Sequence, residues 1–363
     1  MPPPSPPPRP PPELIDDAVT EILLRLPSGD PACLARAGLV CRRWRRVLSD
    51  PAFRRRYRAF HGPPPLLGFL LNREFRDCRP RFVATAAASP FSAPALEGRG
   101  RWSWEALDCR HGRALFYSPD SGALLVWDPA TGGQQQTIRP DYPCEAFAAA
   151  VLCTAAGCDH LDCHGGPFNV VFVGVYNNTW AILYSSETRE WTSPAYLGIE
   201  CNPTMSNPAR LVGDVLYFVV DEGMVVLKYD LAVRRLSLID APDEFDWACM
   251  LITAEGGRLG CAIVDNCNYN LFLWSLQAGA GGEGVEEEWV QDRIIDLVNM
   301  LQPFPALPVS PALLGFAEGT DTIFINTNVG AIAIDLRSGQ MKKVGKSGRY
   351  YSILPYMSYY TPV

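Results

Sequence analysis

A chain of 363 residues, nearly half of them hydrophobic, can bury a large core and has room for a small domain beside a large one. Its net charge of −7 is uneven: residues 13–62 hold ten arginines against six acids, Arg9 adds one positive charge, and residues 63–363 therefore carry −12. No apolar run approaches the roughly 20 residues of a membrane span and no hydrophobic leader core is seen, so the twelve irregularly spaced cysteines are expected to be reduced thiols of a cytosolic or nuclear protein.

Residues 1–12 are almost entirely proline, which suits neither helix nor sheet interiors, and they are read as an extended spacer outside the fold. Helix signals fill residues 13–62. Asp16 or Asp17 can cap a first helix whose Val19, Ile22, Leu23 and Leu26 fall at i, i+3, i+4 and i+7 before Pro27 stops it. Asp30-Pro31-Ala32 supplies a cap followed by proline at the first helical position, and Ala37, Val40, Cys41, Trp44 and Leu48 continue at helical spacing. The same signal, Asp50-Pro51-Ala52, opens a third helix with Phe53, Tyr57 and Phe60. Three short helices enclose little core, so something else is expected to cover their apolar stripes, and a partner is implied.

After Gly62 the period changes from 3.6 to 2. Five runs read as strand, tight turn, strand and polar turn: "RALFYSPDSGALLVWDPATG", "NVVFVGVYNNTWAILYSSETREW", "DVLYFVVDEGMVVLKYDLAVRRLSLI", "LGCAIVDNCNYNLFLWSLQAG" and "DTIFINTNVGAIAIDLRSGQMKKV". Their second strands end near Trp127, Tyr184, Tyr229, Trp274 and Ile334, a spacing typical of propeller blades. "LLGFLL" with "RFVATAAASPF" before them, and "YYSILPYMSYYTPV" after them, can supply a further blade closed by strands from both ends. The expected architecture is α+β and multidomain: a Pro-rich tail over 1–12, a helical domain over 13–62 and an all-β propeller of about six blades over 63–363, with a β-sandwich or an open repeat stack as alternatives. "AGAGGEGVEEEW" marks a loop in the fourth unit, and "DRIIDLVNMLQ" reads as a short helix outside the propeller.

Chemistry-bearing motifs are scarce. Cys153, Cys158, His160, Cys163 and His164 in "CTAAGCDHLDCH" have the donor types of a zinc site, with Cys158, His160, Cys163 and His164 as the candidate ligands. No second knuckle accompanies them, so the expectation is a blade-connecting loop with free thiols, no metal and no cofactor. There is no G-x-S-x-G elbow, phosphate loop or dinucleotide fingerprint, and no catalytic residue is assigned. Trp127-Asp128 matches the dipeptide of WD-repeat blades once, and is read as a strand end and turn.

"LVCRRWRRVLSDPAF", residues 39–53, places four arginines around a tryptophan. On a helix Val40, Trp44, Val47 and Leu48 share a face, and the adjoining body is acidic, which argues for a protein partner and against nucleic acid. Residues 13–60 resemble an F-box: a Leu-x-Asp-Asp opening, Ile-Leu-x-Arg-Leu-Pro, a leucine helix, Val-Cys-x-x-Trp, and an Asp-Pro-x-Phe ending. Ile15 replaces the usual proline of the opening, and Gly38 sits inside the second helix. "FRRRYRAFHGPPPLLGFLL" and "ILPYMSYYTP" further resemble the large grass F-box group, whose C-terminal parts are β-rich.

The resemblance implies a non-catalytic substrate receptor of a Skp-cullin-F-box ubiquitin ligase. The helical domain would bind a Skp-type adaptor and, through it, a cullin, while the β domain would hold a protein substrate whose identity and contacts are not legible. Use of the F-box for adaptor binding alone, without degradation, stays open. The adaptor surface carried over from the family comprises Leu14, Ile15, Ile22, Leu23, Leu26, Pro27, Leu34, Val40, Trp44 and Leu48, with the arginines suited to an acidic partner.

Overall fold

The computed structural model describes residues 15–360 apart from 74–79, 88, 92–93, 95, 97–103, 206, 243–248, 266, 268, 279–286, 302–311, 328, 347 and 349. The proline-rich tail and Leu14 lie outside the described residues. Four helices open the chain: α1 (Asp16–Leu24), α2 (Pro31–Val40), α3 (Arg42–Ser49) and α4 (Pro51–His61). Asp30 and Asp50 cap α2 and α4 as their sequence signals require, accepting from the N–H groups of Ala32 (3.1 Å) and Ala52 (2.9 Å), with proline at the first helical position. The N-cap of α1 is Ile15; Asp16 and Asp17 instead occupy the first turn, where their charge favours the helix dipole.

The expected second helix is two helices. Cys41 is fully extended (φ −162°, ψ 166°) and breaks the chain between α2 and α3. The break lets Leu34 and Ala37 of α2 and Leu48 of α3 enter one core with Val19, Leu23, Leu24, Phe53 and Tyr57, and leaves Leu39 and Val40 in solvent. The helical stripe that joined Val40 to Trp44 was therefore a periodicity running through a bend.

The β region is a closed ring of six antiparallel sheets, a six-bladed propeller. Five blades are four-stranded meanders. The first is β3 (Glu105–Arg110), β4 (Arg113–Ser118), β5 (Ala123–Trp127) and β6 (Gln134–Ile138); the second is β7 (Ala146–Cys153), β8 (Phe168–Val175), β9 (Thr179–Ser185) and β10 (Ala195–Tyr196). The third is β11 (Arg210–Val212), β12 (Val215–Val220), β13 (Val225–Asp230) and β14 (Arg235–Asp240). In the fourth, β15 (Met250–Thr253), β16 (Leu259–Asp265) and β17 (Asn270–Ala278) precede β18 (Glu287–Asp296), and α5 (Leu297–Leu301) follows. The fifth is β19 (Ala312–Ala317), β20 (Thr322–Thr327), β21 (Gly330–Asp335) and β22 (Met341–Lys343). "DRII" thus belongs to a strand and only "LVNML" is helical.

Trp127, Tyr184, Tyr229, Trp274 and Ile334 lie on the third strand of each blade. The innermost strand precedes the hairpin that the sequence displays, and pieces as short as "RLV" carry little alternation of their own. The sixth blade closes the ring as expected: β1 (Leu66–Arg73) lies between β2 (Arg81–Ala84) and the last strand, β23 (Tyr350–Met357), with Leu70 opposite Leu354 and Leu71 opposite Ile353. Asn72 fastens this blade to the first. Its amide donates to Ser352 Oγ (2.8 Å) and to the Ala106 carbonyl (2.7 Å), and its oxygen accepts from Ala106 N–H (3.2 Å), all in a buried setting.

Six hydrophobic clusters fill the six spaces between blades. Strand alternation supplies them: along β12, Leu216, Phe218 and Val220 pack toward the second blade, while Tyr217 and Val219 pack toward the fourth. Both faces of every blade are therefore buried, which explains why the strands read as near-continuous apolar runs. Between β19 and β23 the approach is so close that a Cβ at Gly315 would overlap the Ile353 carbonyl oxygen.

Candidate functional site

The helical unit divides the residues expected on its binding surface into three groups. Leu23, Leu34 and Leu48 are fully buried in its core, so as the unit stands they hold the helices together and offer no partner a surface. Leu26 and Trp44 are half-buried against the same core. Ile15, Ile22, Pro27 and Val40 are exposed, and so is Leu39, which sequence reasoning missed because it falls off the apolar stripe. Leu39 is 76% exposed and Val40 61%, an adjacent aliphatic pair in solvent at the end of α2. Asp16 pairs with Arg43, tying the start of α1 to the α2–α3 junction, so Ile15 and Val40 flank one ion pair at the same end of the unit. Arg42, Arg45 and Arg46 stand exposed beside them.

The opposite end of the unit is covered by the propeller itself. Tyr359, which follows β23, is buried within the helical core beside Phe53 and Tyr57, its ring edge-on to Tyr57 at 6.0 Å between centroids. Its hydroxyl donates to the Gly62 carbonyl (2.7 Å). Leu161, from the loop between β7 and β8, packs on the same core and its carbonyl accepts from Tyr359 N–H (3.0 Å). Arg58 of α4 spans two carboxylates of that loop, Asp162 (2.6 Å) and Asp159 (2.7 Å). Tyr57 donates to the Leu26 carbonyl (2.9 Å), and burial drives its phenol well above the ordinary range. The apolar stripes expected to need a partner are thus covered partly by the same chain, and Ile15, Ile22, Pro27, Leu39 and Val40 stay exposed.

On this face of the propeller the channel mouth forms a cavity of about 370 Å³ between Pro64, Leu161 and the inner strands. Apart from Asp159, which pairs with Arg58, its charged groups lace blades together. Asp108 of β3 accepts both guanidinium contacts of Arg110 (2.8 and 3.0 Å) and the Val151 N–H of β7 (2.9 Å). Arg110 also donates to the Ala209 carbonyl, while Arg210 donates to the Leu251 carbonyl (3.1 Å) and pairs with Glu318. Burial pushes Glu318 up, but Arg210 and Arg110 outweigh it and hold the carboxyl below its usual value. Beside them burial, reinforced by Arg110, lowers His111 to about 3, so its imidazole is neutral at physiological pH.

The cysteine-rich segment is the docking loop just described. Cys153 ends β7, Gly157 turns the chain in a left-handed conformation (φ 68°), and Cys163 is buried. Three thiols and the His160 ring converge; His164 does not join them. Its Nε2 lies 3.1 Å from the Tyr359 carbonyl and its Nδ1 faces Asp128, the residue after Trp127. Asp128 is buried and accepts from the N–H groups of Ala130 (2.9 Å) and Gly165 (2.9 Å), so "WD" here is a turn that also anchors the docking loop.

Comparison with known proteins agrees with this division. Residues 16–59 match the F-box-like family model. An Arabidopsis thaliana protein, F-box protein At5g03970, is 25% identical over 317 residues, covering 77% of this chain and 66% of its own length, so the chain spans just under two thirds of that relative. Among solved structures, Kluyveromyces lactis Hsv2 aligns over 68% of the chain and 65% of its own at 9% identity with a TM-score of 0.39. BBS1N in complex with ARL6DN aligns over 75% and 74% at 11% identity with a TM-score of 0.34. At that level these likenesses carry no argument, and the propeller rests on the sheet topology.

Proposed function

We propose that this chain, an F-box-like domain on a six-bladed propeller, is a non-catalytic substrate receptor of a Skp-cullin-F-box ubiquitin ligase. The observation that carries the reading is the family match over 16–59 together with the aliphatic residues that the helical unit leaves exposed, Ile15, Ile22, Leu39 and Val40. They offer a Skp-type adaptor exposed aliphatic contacts, of which Ile15 and Val40 flank the Asp16–Arg43 ion pair, and the surrounding arginines suit an acidic partner by steering its approach. The rigid junction at Tyr359 and Arg58 would fix the distance between adaptor and propeller, and the propeller would hold the protein substrate. Scarce lysine fits this role: among 32 basic residues only Lys228, Lys342, Lys343 and Lys346 can accept ubiquitin.

Co-expression with a Skp-type adaptor, followed by capture at moderate and high salt, tests the reading. The wild type is expected to retain the adaptor at high salt, and the Leu39→Gln/Val40→Gln variant, which touches no core residue, is expected to bind at least about ten-fold more weakly. Folded wild-type protein that captures no adaptor rejects the reading. Adaptor capture with no cullin in the complex favours adaptor binding alone.

A further inference from the structure

We propose that Cys153, Cys158, His160 and Cys163 form a structural zinc site that braces the helical unit against the propeller. Their four ligand atoms all lie within 4.8 Å of one another. Cys158 Sγ and Cys163 Sγ are 3.3 Å apart, and Cys163 Sγ is 3.6 Å from His160 Nδ1. Zinc bonds of about 2.3 Å to sulfur and about 2.05 Å to nitrogen give a tetrahedron with edges of about 3.8 Å between sulfurs and about 3.6 Å from sulfur to nitrogen. The Cys163 to His160 edge matches this, the Cys158 to Cys163 edge is about 0.5 Å shorter, and every edge is under 4.8 Å, so small side-chain shifts close the group on a zinc ion. A set of three thiolates and one imidazole selects zinc over hard cations, and four protein ligands leave no open position, which makes the site structural.

The surroundings are built for this convergence. His160 is held in the left-handed region (φ 59°), a conformation that few residues other than glycine adopt, and it is this turn that brings its ring to the thiols. His111 stacks on the His160 ring at 4.2 Å and 16°, and its Nδ1 accepts the Cys153 N–H (3.2 Å), so one side chain positions two of the four ligands. Gly112 (φ 69°) lets the chain pass directly beneath Cys163, whose carbonyl oxygen a Cβ would overlap. The spacing C-x4-C-x-H-x2-C compresses the site into one loop, and its first ligand is the end of a blade strand; this is why no second knuckle was found in the sequence. His164, counted among the sequence candidates, is replaced by Cys153.

The site has a mechanical consequence. Between its ligands lie Asp159 and Asp162, the partners of Arg58, and Leu161, which packs on the helical core. Fixing Cys158, His160 and Cys163 to one ion fixes these three contacts, so metal occupancy sets how firmly the helical unit is docked.

The test is the metal content of the full chain, purified with reduced thiols and exchanged against zinc-free buffer. One zinc ion per chain is expected in the wild type and in Cys267→Ser, whose cysteine is exposed and outside the cluster, whereas Cys158→Ser and Cys163→Ser should lose more than about ten-fold in zinc affinity. Because those variants can misfold, cobalt(II) is loaded into the wild type: intense tetrahedral d–d bands with thiolate charge transfer are expected. Removal of the metal should then speed amide exchange in α4. Wild-type protein with free thiols that takes up neither metal, equal zinc in the serine variants, or a Cys158 to Cys163 disulfide in its place would overturn the site. Unchanged exchange in α4 after metal removal would overturn the brace.

Discussion

Replacing Tyr359 by alanine should release the helical unit while leaving the propeller intact. The side chain is fully buried in the core formed with Phe53, Tyr57 and Leu34, and it supplies the hydroxyl that binds the Gly62 carbonyl at 2.7 Å. Truncation of a buried aromatic residue costs about 3–5 kcal/mol, and the lost hydrogen bond falls within that range. The backbone of Tyr359 still bonds His164 and Leu161, so the propeller has no reason to loosen. If α4 amides exchange through undocking, about 4 kcal/mol corresponds to exchange about a thousand-fold faster. Hydrogen exchange with peptide-level readout measures this directly, with the buried strand β16 as internal reference. Tyr359→Phe keeps the ring and loses only the hydroxyl, about 1 kcal/mol, so α4 should exchange only about five-fold faster. Exchange in α4 of Tyr359→Ala within about three-fold of wild type would refute the claim that the helical core depends on a propeller residue.

Asn72→Ala removes three buried hydrogen bonds at the ring closure and strands both polar groups of Ala106; a loss of about 3 kcal/mol is expected in denaturant unfolding monitored on the propeller, and an unchanged midpoint would show that the two-ended blade closes without this latch. Asp128 gives a pH signature. Burial raises its carboxyl, but His164, the Gly165 N–H and Thr131 outweigh burial and hold it below the ordinary carboxylate value. A depressed folded-state pKa contributes stability above the unfolded value of about 3.9 that is lost as pH falls through the folded value. Asp128→Asn should therefore be less stable than wild type near neutrality by about 1–3 kcal/mol, with the gap narrowing below about pH 4; parallel stability profiles from pH 7 to pH 3 would contradict this.

Which links in this protein are local and which are not follows from the reach of each signal. The caps at Asp30 and Asp50 act over two residues, and the strand hairpins over about twenty, so helices, blades and even the two-ended sixth blade were legible from residue order alone. The break at Cys41 was not, because apolar spacing continued straight through it and only the shared core of Leu34 and Leu48 shows the bend. Two of the innermost strands, β11 and β15, were missed for a related reason: they are three and four residues long, so packing by neighbouring blades, and not their own alternation, defines them.

Exposure was equally out of reach. Leu23, Leu34 and Leu48 are indistinguishable in the sequence from Ile22 and Val40, yet the first three form the core and the other two face solvent. The amino-acid sequence by itself determined that a helical F-box-like segment precedes a series of β hairpins spaced like propeller blades, since periodicity, caps and turns are properties of neighbouring residues, and the sheet topology decided that they close into a ring. Only the tertiary structure decided what covers the helical core and what gathers the thiols. Tyr359 reaches Gly62 across 297 residues, and His111 reaches Cys153 across 42. Contacts of that separation leave no periodic trace; the first exists because ring closure brings the segments before β1 and after β23 together, and the second because neighbouring blades pack side by side.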